Sequence, residues 1–265
     1  MNPNWYRVGA VIAKEWAEVR RNKMILWMMA LVPLLLVAMV LGTDYMMVRL
    51  EGEGGETGEE ELPIPPELQH LPPFQAFLIQ MNEQYAFYLF LIPMMLPVYI
   101  ASYSIIGEKE TRTLEPLLAT PVSTWELLVG KSVAAVVPAV LLTWGSYALM
   151  LAGLKLIVPP VVFGYSMRAV WILGMLLLSP LLALLSVLCG VIVSSRINDP
   201  RTAQQITGVF VVPIIAFSLV VLAGWVFVSV PLVLATAAVT LIIDLVVLYF
   251  AVKLFQRETI LTRWK

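Results

Sequence analysis

Gly130, Lys131 and Ser132 have the residue types and order that end a phosphate-binding loop, in which backbone amides and a lysine hold nucleotide phosphates. That loop requires a glycine five residues before Gly130, and Trp125 stands there instead. An apolar segment follows directly, whereas the nucleotide loop joins a strand to a helix. The sequence also has no nucleophile motif of a serine hydrolase. We therefore expect no enzyme activity and no cofactor in this chain.

Asp244 places a carboxylate near the middle of the apolar residues 231–252. A carboxylate is costly in lipid, and such a residue marks a substrate or proton path by default. The alternative is an Asp that joins helices through hydrogen bonds. Both interpretations stay open from the sequence.

Soft-metal chemistry has only weak support in the sequence. Met46-Met47 and Met94-Met95 could pass a metal between thioethers, although flexible packing is the better explanation of paired methionines. His70 is the single histidine and Cys189 the single cysteine. We therefore expect neither a zinc site nor an intramolecular disulfide.

Composition places these residues in a membrane protein. Hydrophobic residues make up 60% of the chain, and the mean hydropathy is +0.87. A helix needs about 20 apolar residues to cross the hydrocarbon. The sequence predicts an all-α polytopic fold, residues 1–265 forming one transmembrane domain, with six spans at about 24–42, 85–106, 132–153, 169–193, 207–228 and 231–252.

Lys and Arg counts predict the orientation of these spans. With the N-terminus inside, the cytoplasmic segments carry fourteen of the 17 Lys and Arg residues, and the external ones carry only Arg49, Lys155 and Arg168. Cytoplasmic loops are enriched in these residues. Both termini and the 107–131 segment are therefore expected in the cytoplasm of a multi-pass plasma membrane protein. The partners would be lipid and protein rather than nucleic acid.

Residues 4–22 read as an amphipathic helix at the membrane interface. One face has apolar residues at helical spacing, with charged residues opposite. The apolar face consists of Trp5, Val8, Ile12, Trp16 and Val19. A signal peptide is the weaker interpretation, because no small-x-small cleavage site follows the apolar run.

Residues 43–84 are predicted to form an acidic external loop. The loop combines the run EGEGGETGEEE at 51–61 with Asp44, Glu67 and Glu83. A cation trap is conceivable, but a solvated charge run is the better interpretation.

Two further features concern the spans. Pro93 and Pro97 lie one helical turn apart and are hinge candidates. Residues 220–235 could form a re-entrant segment instead of a plain hairpin.

The 107–131 segment, GEKETRTLEPLLATPVSTWELLVGK, predicts a helix, a sharp turn and a second helix. Glu108 and Arg112 have favourable i, i+4 spacing, and Leu114, Leu117 and Leu118 form an apolar stripe. Pro121 ends the first helix. Ser123 and Glu126 then form a capping box that starts the next helix. The leucine stripe suits a small docking surface.

These motifs resemble the signature loop between the second and third spans of type-2 ATP-binding-cassette (ABC) exporter permeases. The resemblance is carried by Glu108-Lys109-Glu110, Thr113 to Leu118, Thr120 to Ser123, Glu126 and Gly130-Lys131. Arg112 departs from the pattern, because the family usually has glycine there.

The resemblance implies that the loop is a coupling helix seated in a separate ATPase subunit. Its coupling residues would be Glu108, Glu110, Arg112, Leu114, Glu115, Leu117, Leu118, Pro121, Ser123 and Glu126. The N-terminal helix would contact the same subunit. Two permease chains, as a homodimer, would stand above two cytoplasmic ABC ATPases that hold ATP and Mg. The external segment between the last two spans would be re-entrant.

The chain is thus expected to be the permease subunit of an ATP-driven exporter. Three alternatives remain: an ion- or proton-coupled secondary transporter that uses Asp244, a metal-handling permease, and an assembly permease that exports no solute. The walls of the spans are mainly Leu, Val, Ala and Met, which name no substrate.

Overall fold

The structure, a computed structural model, describes residues 5–52, 64–110, 123–197, 199, 202, 205, 206 and 208–254. Every regular element within these residues is a helix, and none is a strand. The prediction of an all-α polytopic membrane protein is confirmed.

The main helices follow the chain in a simple order. They are α1 (Trp5–Arg21), α2 (Lys23–Gly52), α3 (Pro73–Leu89), α4 (Leu91–Glu110), α5 (Thr124–Ile157), α6 (Pro160–Ser166), α7 (Ala169–Arg196), α8 (Val212–Leu222) and α9 (Val230–Leu254). Short 3-10 helices occur at Pro66–Leu68 and Val209–Val211.

Five stretches of the described chain are long and apolar enough to cross a membrane: α2, α3 with α4, α5, α6 with α7, and α9. The predicted span at 207–228 corresponds to α8, which has 11 residues. At 1.5 Å per residue, a helix of this length covers roughly half of the hydrocarbon thickness. Helical residues also precede α8, at Gly208 and in the 3-10 helix Val209–Val211, and Thr207 lies outside the described residues. The fifth span at 207–228 therefore stays a prediction.

The helix pair α3–α4 forms the centre of the bundle. In the most apolar 18-residue segment of this pair, 78% of the residues are buried, whereas the corresponding segments of α2 and α9 are 22% and 17% buried. Helix α7 packs against both α4 and α9, while α5 packs against α1, α2 and α4. The outer helices α2 and α9 therefore keep large apolar faces for lipid or for other chains.

A break at Phe90 separates α3 from α4, one turn before Pro93. Proline has no amide hydrogen, so Pro93 leaves the carbonyl of Leu89 without its helical donor. Pro97 lies inside α4 without ending it. The helix is thus interrupted beside the predicted hinge, while movement at that hinge stays a prediction.

The predicted loop at 43–84 is helical at both ends. Helix α2 continues to Gly52 and α3 begins at Pro73. Asp44 and Glu83 are buried in these helices rather than solvated, with 2% and 5% of their surface exposed. The boundaries drawn from hydropathy were wrong here, because polar residues that pack inside the bundle extend the helices. Most of the acidic run lies outside the described residues.

The chain is not helical between α8 and α9. Helix α8 ends at Leu222, and Gly224 follows with a φ of 70°, a conformation that glycine adopts without strain. Two glutamines of α3 hold the short helix: Gln80 Nε2 donates to the Leu222 carbonyl at 2.5 Å, and Gln84 Nε2 donates to Ser218 Oγ at 3.1 Å.

Candidate functional site

The middle of the predicted docking loop lies outside the described residues. This part comprises Arg112, Leu114, Glu115, Leu117, Leu118 and Pro121, and the side chain of Glu110 also falls outside the description. The coupling role of these residues therefore stays a prediction. The structure does describe both ends of the loop, including Glu108, Ser123 and Glu126.

A capping box begins α5, as the sequence predicts. The Glu126 amide donates to Ser123 Oγ at 3.2 Å, and the Ser123 amide donates to Glu126 Oε2 at 2.8 Å. Arg7 of α1 places its Nη1 3.8 Å from Glu126 Oε2. The cap that restarts the helix after the loop thus also lies beside α1.

A buried cluster of charges joins the two ends of the loop. Lys131, near the start of α5, places its Nζ 2.7 Å from Glu15 Oε1 and 2.9 Å from Glu108 Oε1. Lys131 also donates to the Ser104 hydroxyl. All three charged side chains are almost fully buried. Helix α1 therefore contributes a carboxylate between the end of α4 and the start of α5.

Lys14 completes this ion cluster, which we define as Lys14, Glu15, Glu108 and Lys131. Its Nζ donates to the Glu108 carboxylate and lies 3.7 Å from Glu15 Oε1. Two cations thus face two carboxylates. Lys14 is 38% exposed, whereas Lys131 is buried with both carboxylates, so removal of Lys131 would leave the largest uncompensated charge away from water. Breaking a buried ion pair in this way costs about 3–5 kcal/mol.

The two α1 members of the cluster have shifted pKa values. Burial alone would raise the pKa of Glu15, but the charge and hydrogen bond of Lys131 hold that pKa below its ordinary value. Burial alone would lower the pKa of Lys14, but the hydrogen bond and charge of Glu108 raise it above the usual range. Both side chains are therefore charged at neutral pH.

The packing of α1 against α5 explains the Gly130-Lys131 pair, which resembled the end of a phosphate-binding loop. A Cβ atom at Gly130 would lie 2.7 Å from Cγ1 of Val11 and 2.8 Å from its Cβ, closer than real contacts allow. Glycine lets α1 and α5 approach there, and the next residue, Lys131, supplies the buried cation. The Gly-Lys pair thus serves the contact between two helices.

Trp16 makes a further contact between α1 and α5. Its indole nitrogen donates to the carbonyl of Ala134 at 3.0 Å. That carbonyl would normally accept from the residue four positions later, which is Pro138 and has no amide hydrogen. The tryptophan therefore satisfies the acceptor that the proline leaves open.

The buried face of α1 overlaps the predicted apolar face only in part. Val8, Val11 and Glu15 are buried, whereas Trp5 is 72% and Trp16 41% exposed. The helix was predicted correctly, and Val8, Ile12 and Val19 of the predicted apolar face are buried or half-buried. The burial of Glu15 was missed, while the placement of the helix at the membrane interface stays a prediction. The sequence did contain a sign of this burial. Val11 follows Val8 by three residues and Glu15 follows Val11 by four, and this helical spacing places the Glu15 carboxylate on the same face as the two valines.

Asp244 lies on α9 against α7, near Cys189. Its side chain is buried, and neither carboxylate oxygen has a hydrogen-bond partner among the described residues. The structure thus places Asp244 away from the ion cluster. The described residues also contain no group of three His, Cys, Asp or Glu that could hold a metal. A role for Asp244 stays open.

Comparison with known proteins supplies the family. No curated protein matches the chain. The family described as "ABC-2 family transporter protein" matches residues 9–231, a region that includes most of α1, both ends of the loop and the spans up to the start of α9. Such permeases are membrane components of transporters rather than catalytic subunits, and they work with an ABC ATPase. The chain therefore belongs to the ABC-2 family of transporter proteins, as a permease subunit with multiple membrane-spanning helices.

Proposed function

We propose that this permease belongs to an ATP-driven exporter and that the 107–131 segment couples it to its ATPase. Two copies of the chain would face two cytoplasmic ATPases, which bind ATP and Mg. Closure of the ATPase pair would move the docked loops and switch the spans between inward and outward exposure. The substrate would leave the cell in this cycle.

The ion cluster is the observation that carries this proposal. Glu108 stands where α4 leads into the loop, and Lys131 stands where the loop has returned into α5. A direct ion pair between them closes the base of the loop, and Glu15 fixes that base to α1. A force applied to the loop would therefore move α1, α4 and α5 together instead of bending the loop alone.

The docking role can be tested with Leu117→Asp. A carboxylate in the leucine stripe would be buried against the ATPase without a partner, so we expect co-purification of the ATPase and ATPase activity to fall about tenfold or more. Thermal unfolding of the permease in detergent should be unchanged. Leu156→Asp is the matched control, because Leu156 is 87% exposed near the other end of α5. An ATPase that still co-purifies with full activity after Leu117→Asp would contradict the assignment.

Asp244 supports a second candidate, ion- or proton-coupled transport without an ATPase. Its buried carboxylate has no hydrogen-bond partner among the residues that the structure describes. Such a carboxylate in a span is a candidate for binding a proton or cation. Transport by the chain alone in liposomes, driven by a pH gradient and abolished by Asp244→Asn, would favour this candidate. ATP-dependent transport that survives Asp244→Asn would exclude it.

A further inference from the structure

The junction between α1 and α2 carries three cations within four residues. Arg20 and Arg21 end α1, and Lys23 begins α2. All three side chains are exposed, and none of them forms an ion pair with a described residue. The nearest acid along the chain, Glu18, pairs with Lys14 at 3.2 Å instead. The junction therefore presents three positive charges that the described residues do not neutralise.

Other cations at this end of the bundle have carboxylate partners. Arg7 Nη1 lies 3.8 Å from Glu126 Oε2, and Lys14 and Lys131 belong to the ion cluster. Among the described cations of α1, of the start of α2 and of the start of α5, only those of the junction lack a carboxylate partner. Their charge is thus available to a ligand outside the protein.

Asn22 gives the junction a fixed backbone. Its amide donates to the Glu18 carbonyl at 3.1 Å, as in a continuing helix, and its Oδ1 accepts from the amides of Met24 and Ile25 at 3.1 and 3.3 Å. Asparagine in this position caps the first turn of a helix. One residue therefore ends α1 and begins α2, and it holds the cations on either side of it close together.

The apolar run that follows places the junction at the level of the lipid headgroups. Residues 24–43 of α2 contain no Asp, Glu, Lys or Arg. At 1.5 Å per residue, this run is about 30 Å long, which is the thickness of the hydrocarbon core. The junction directly precedes the run. Arg20, Arg21 and Lys23 therefore lie where the phosphates of one leaflet lie.

Two exposed tryptophans stand on either side of the cations. Trp27 follows Lys23 by one helical turn and is 70% exposed, and Trp16, also exposed, precedes Arg20 by one turn. Arg20 Nε donates to the Trp16 carbonyl at 3.2 Å, which holds the arginine along α1. Tryptophan is enriched where the headgroups meet the hydrocarbon. An acidic protein would neutralise the cations but would not account for an exposed Trp27 on a membrane-spanning helix, whereas a lipid surface accounts for both.

We propose that the α1–α2 junction, defined as Arg20 to Lys23, is a binding site for the headgroups of anionic phospholipids. The two guanidinium groups donate paired hydrogen bonds to phosphate oxygens, and the Lys23 ammonium adds a point charge. Headgroup binding thereby fixes the end of α1, the helix that supplies Glu15 to the ion cluster, to the leaflet. The site goes beyond the proposed function, because it depends neither on the direction of transport nor on an ATPase.

Photocrosslinking tests this preference at the site itself. The full chain is placed in phosphatidylcholine nanodiscs with a trace of phosphatidylglycerol that carries a diazirine at the start of its acyl chain, or of phosphatidylcholine with the same group. Pepsin digestion and mass spectrometry then measure labelling of residues 16–27. We expect at least tenfold stronger labelling by the phosphatidylglycerol probe at low salt, and a smaller preference at high salt, because the contact is electrostatic. Equal labelling by the two probes would overturn the proposal.

Substitutions assign the preference to the junction. The combined change Arg20→Gln, Arg21→Gln and Lys23→Gln should abolish it, and Lys23→Gln alone should lower it about fivefold. Arg20→Lys with Arg21→Lys keeps the charges and should keep most of the preference. Lys155→Gln is the matched control, because Lys155 is an exposed lysine in the last turn of α5. A preference that survives the combined change, or that falls equally in Lys155→Gln, would show that the junction is not the site.

The combined variant also separates a lipid from the ATPase as the occupant. All three side chains are exposed, so thermal unfolding should be unchanged, and the ATPase should still co-purify with the variant. If the variant loses the ATPase but keeps its preference for phosphatidylglycerol, the junction binds the partner protein and the lipid site is wrong. Neither result bears on the 107–131 segment, whose docking role is tested separately by Leu117→Asp.

Discussion

Two glycines mark two regions of this permease with opposite packing. At Gly130, the space that a side chain would occupy is filled by Val11 of α1, and the charges of Lys131 and Glu15 meet next to it. At Gly174, a Cβ would fit, because the nearest atom, Phe90 Cζ, would lie at an ordinary contact distance of 3.5 Å. The first glycine is required for a close contact between helices, whereas the second stands where a methyl group would fit.

The charges in the two regions differ in the same way. In the ion cluster, Lys131 and Lys14 are each paired with both carboxylates. Immediately before α7, the helix that contains Gly174, Arg168 has one carboxylate partner, Glu83, and a buried Nε with no hydrogen-bond partner among the described residues. Glu108 Oε2 in the ion cluster is also buried without a hydrogen-bond partner among the described residues. The two regions therefore differ in the number of paired charges rather than in complete hydrogen bonding, and four mutually paired charges suit a rigid joint. The following predictions test this contrast.

The largest effect is expected from Lys131→Met. This change leaves Glu15 and Glu108 buried with only Lys14 to compensate them, and we expect a loss of about 3–5 kcal/mol in the free energy that holds α1 in place. Limited proteolysis and hydrogen exchange of residues 5–21 in the purified protein would measure it. The rest of the bundle should keep its protection.

A double variant provides the control for this prediction. Glu15→Leu combined with Lys131→Leu removes one charge of each sign and leaves Lys14 with Glu108, so α1 should recover most of its protection. If the double variant is as unprotected as Lys131→Met, packing rather than charge compensation holds α1, and the contrast between the two regions fails.

Lowering the pH should produce the next largest effect. The pKa of Glu15 is held below its ordinary value of 4.5, so its contribution is complete above pH 4.5 and is lost as the pH falls through the lowered pKa. The pKa of Lys14 is raised above 10.5, so its contribution is complete below that pH and is lost only at higher pH. Protection of α1 should therefore be constant from pH 4.5 to 10.5.

Proton uptake by Glu15 should cost less than Lys131→Met, because Lys131 keeps Glu108 as a partner. Hydrogen exchange of α1, corrected for the intrinsic pH dependence of exchange, would measure the profile. In Glu15→Gln the acidic fall should disappear. A fall that begins near neutral pH would show that another group controls the docking of α1.

The sequence predicted the elements of this region better than their contacts. The helix at 5–21 and the Ser123–Glu126 cap follow from local signals, namely helical spacing and side-chain capping, and both were correct. The contact of Gly130 with Val11 depends on residues more than one hundred positions apart, which no local pattern encodes. The ion cluster was missed for the same reason, because the residues next to each charged side chain in the sequence do not distinguish it from a solvent-exposed charge.

The positions of the helix ends could also not be predicted from the sequence. Hydropathy reports the thickness of the lipid core, and a helix continues past it wherever its polar residues find protein partners. Asp44 shows this in α2, where it is buried beside Asn82. The irregular segment between α8 and α9 was anticipated within 220–235, but its anchoring by Gln80 was not, because that contact joins distant parts of the chain.

Gly130→Ala should have a smaller effect than loss of a buried charge. Its Cβ would overlap Val11, and α1 would have to shift, at a cost of about 1–3 kcal/mol. Gly145→Ala is the control, because a Cβ at Gly145 meets nothing within 4 Å and alanine favours a helix. Proteolysis of α1 and thermal unfolding would compare them. Equal stability in the two variants would mean that α1 does not approach α5 at Gly130.

Gly174→Ala tests the packing at the second glycine in the same way. The added Cβ would lie 3.5 Å from Phe90 Cζ, so it should be tolerated and should even stabilise α7 by a few tenths of a kcal/mol through helix propensity. Thermal unfolding would show the difference from Gly130→Ala. A loss as large as that of Gly130→Ala would mean that the second region is as tightly packed as the first.

The smallest effect is expected from Trp16→Phe. Phenylalanine keeps an aromatic ring but cannot donate to the Ala134 carbonyl, so about 1 kcal/mol should be lost. Pro138→Ala supplies a backbone amide to that carbonyl, and in this background Trp16→Phe should cost nothing. Thermal unfolding of the four proteins gives the coupling energy. Additive effects would show that Trp16 contributes through its ring alone, because the proline and the indole would then act on different atoms.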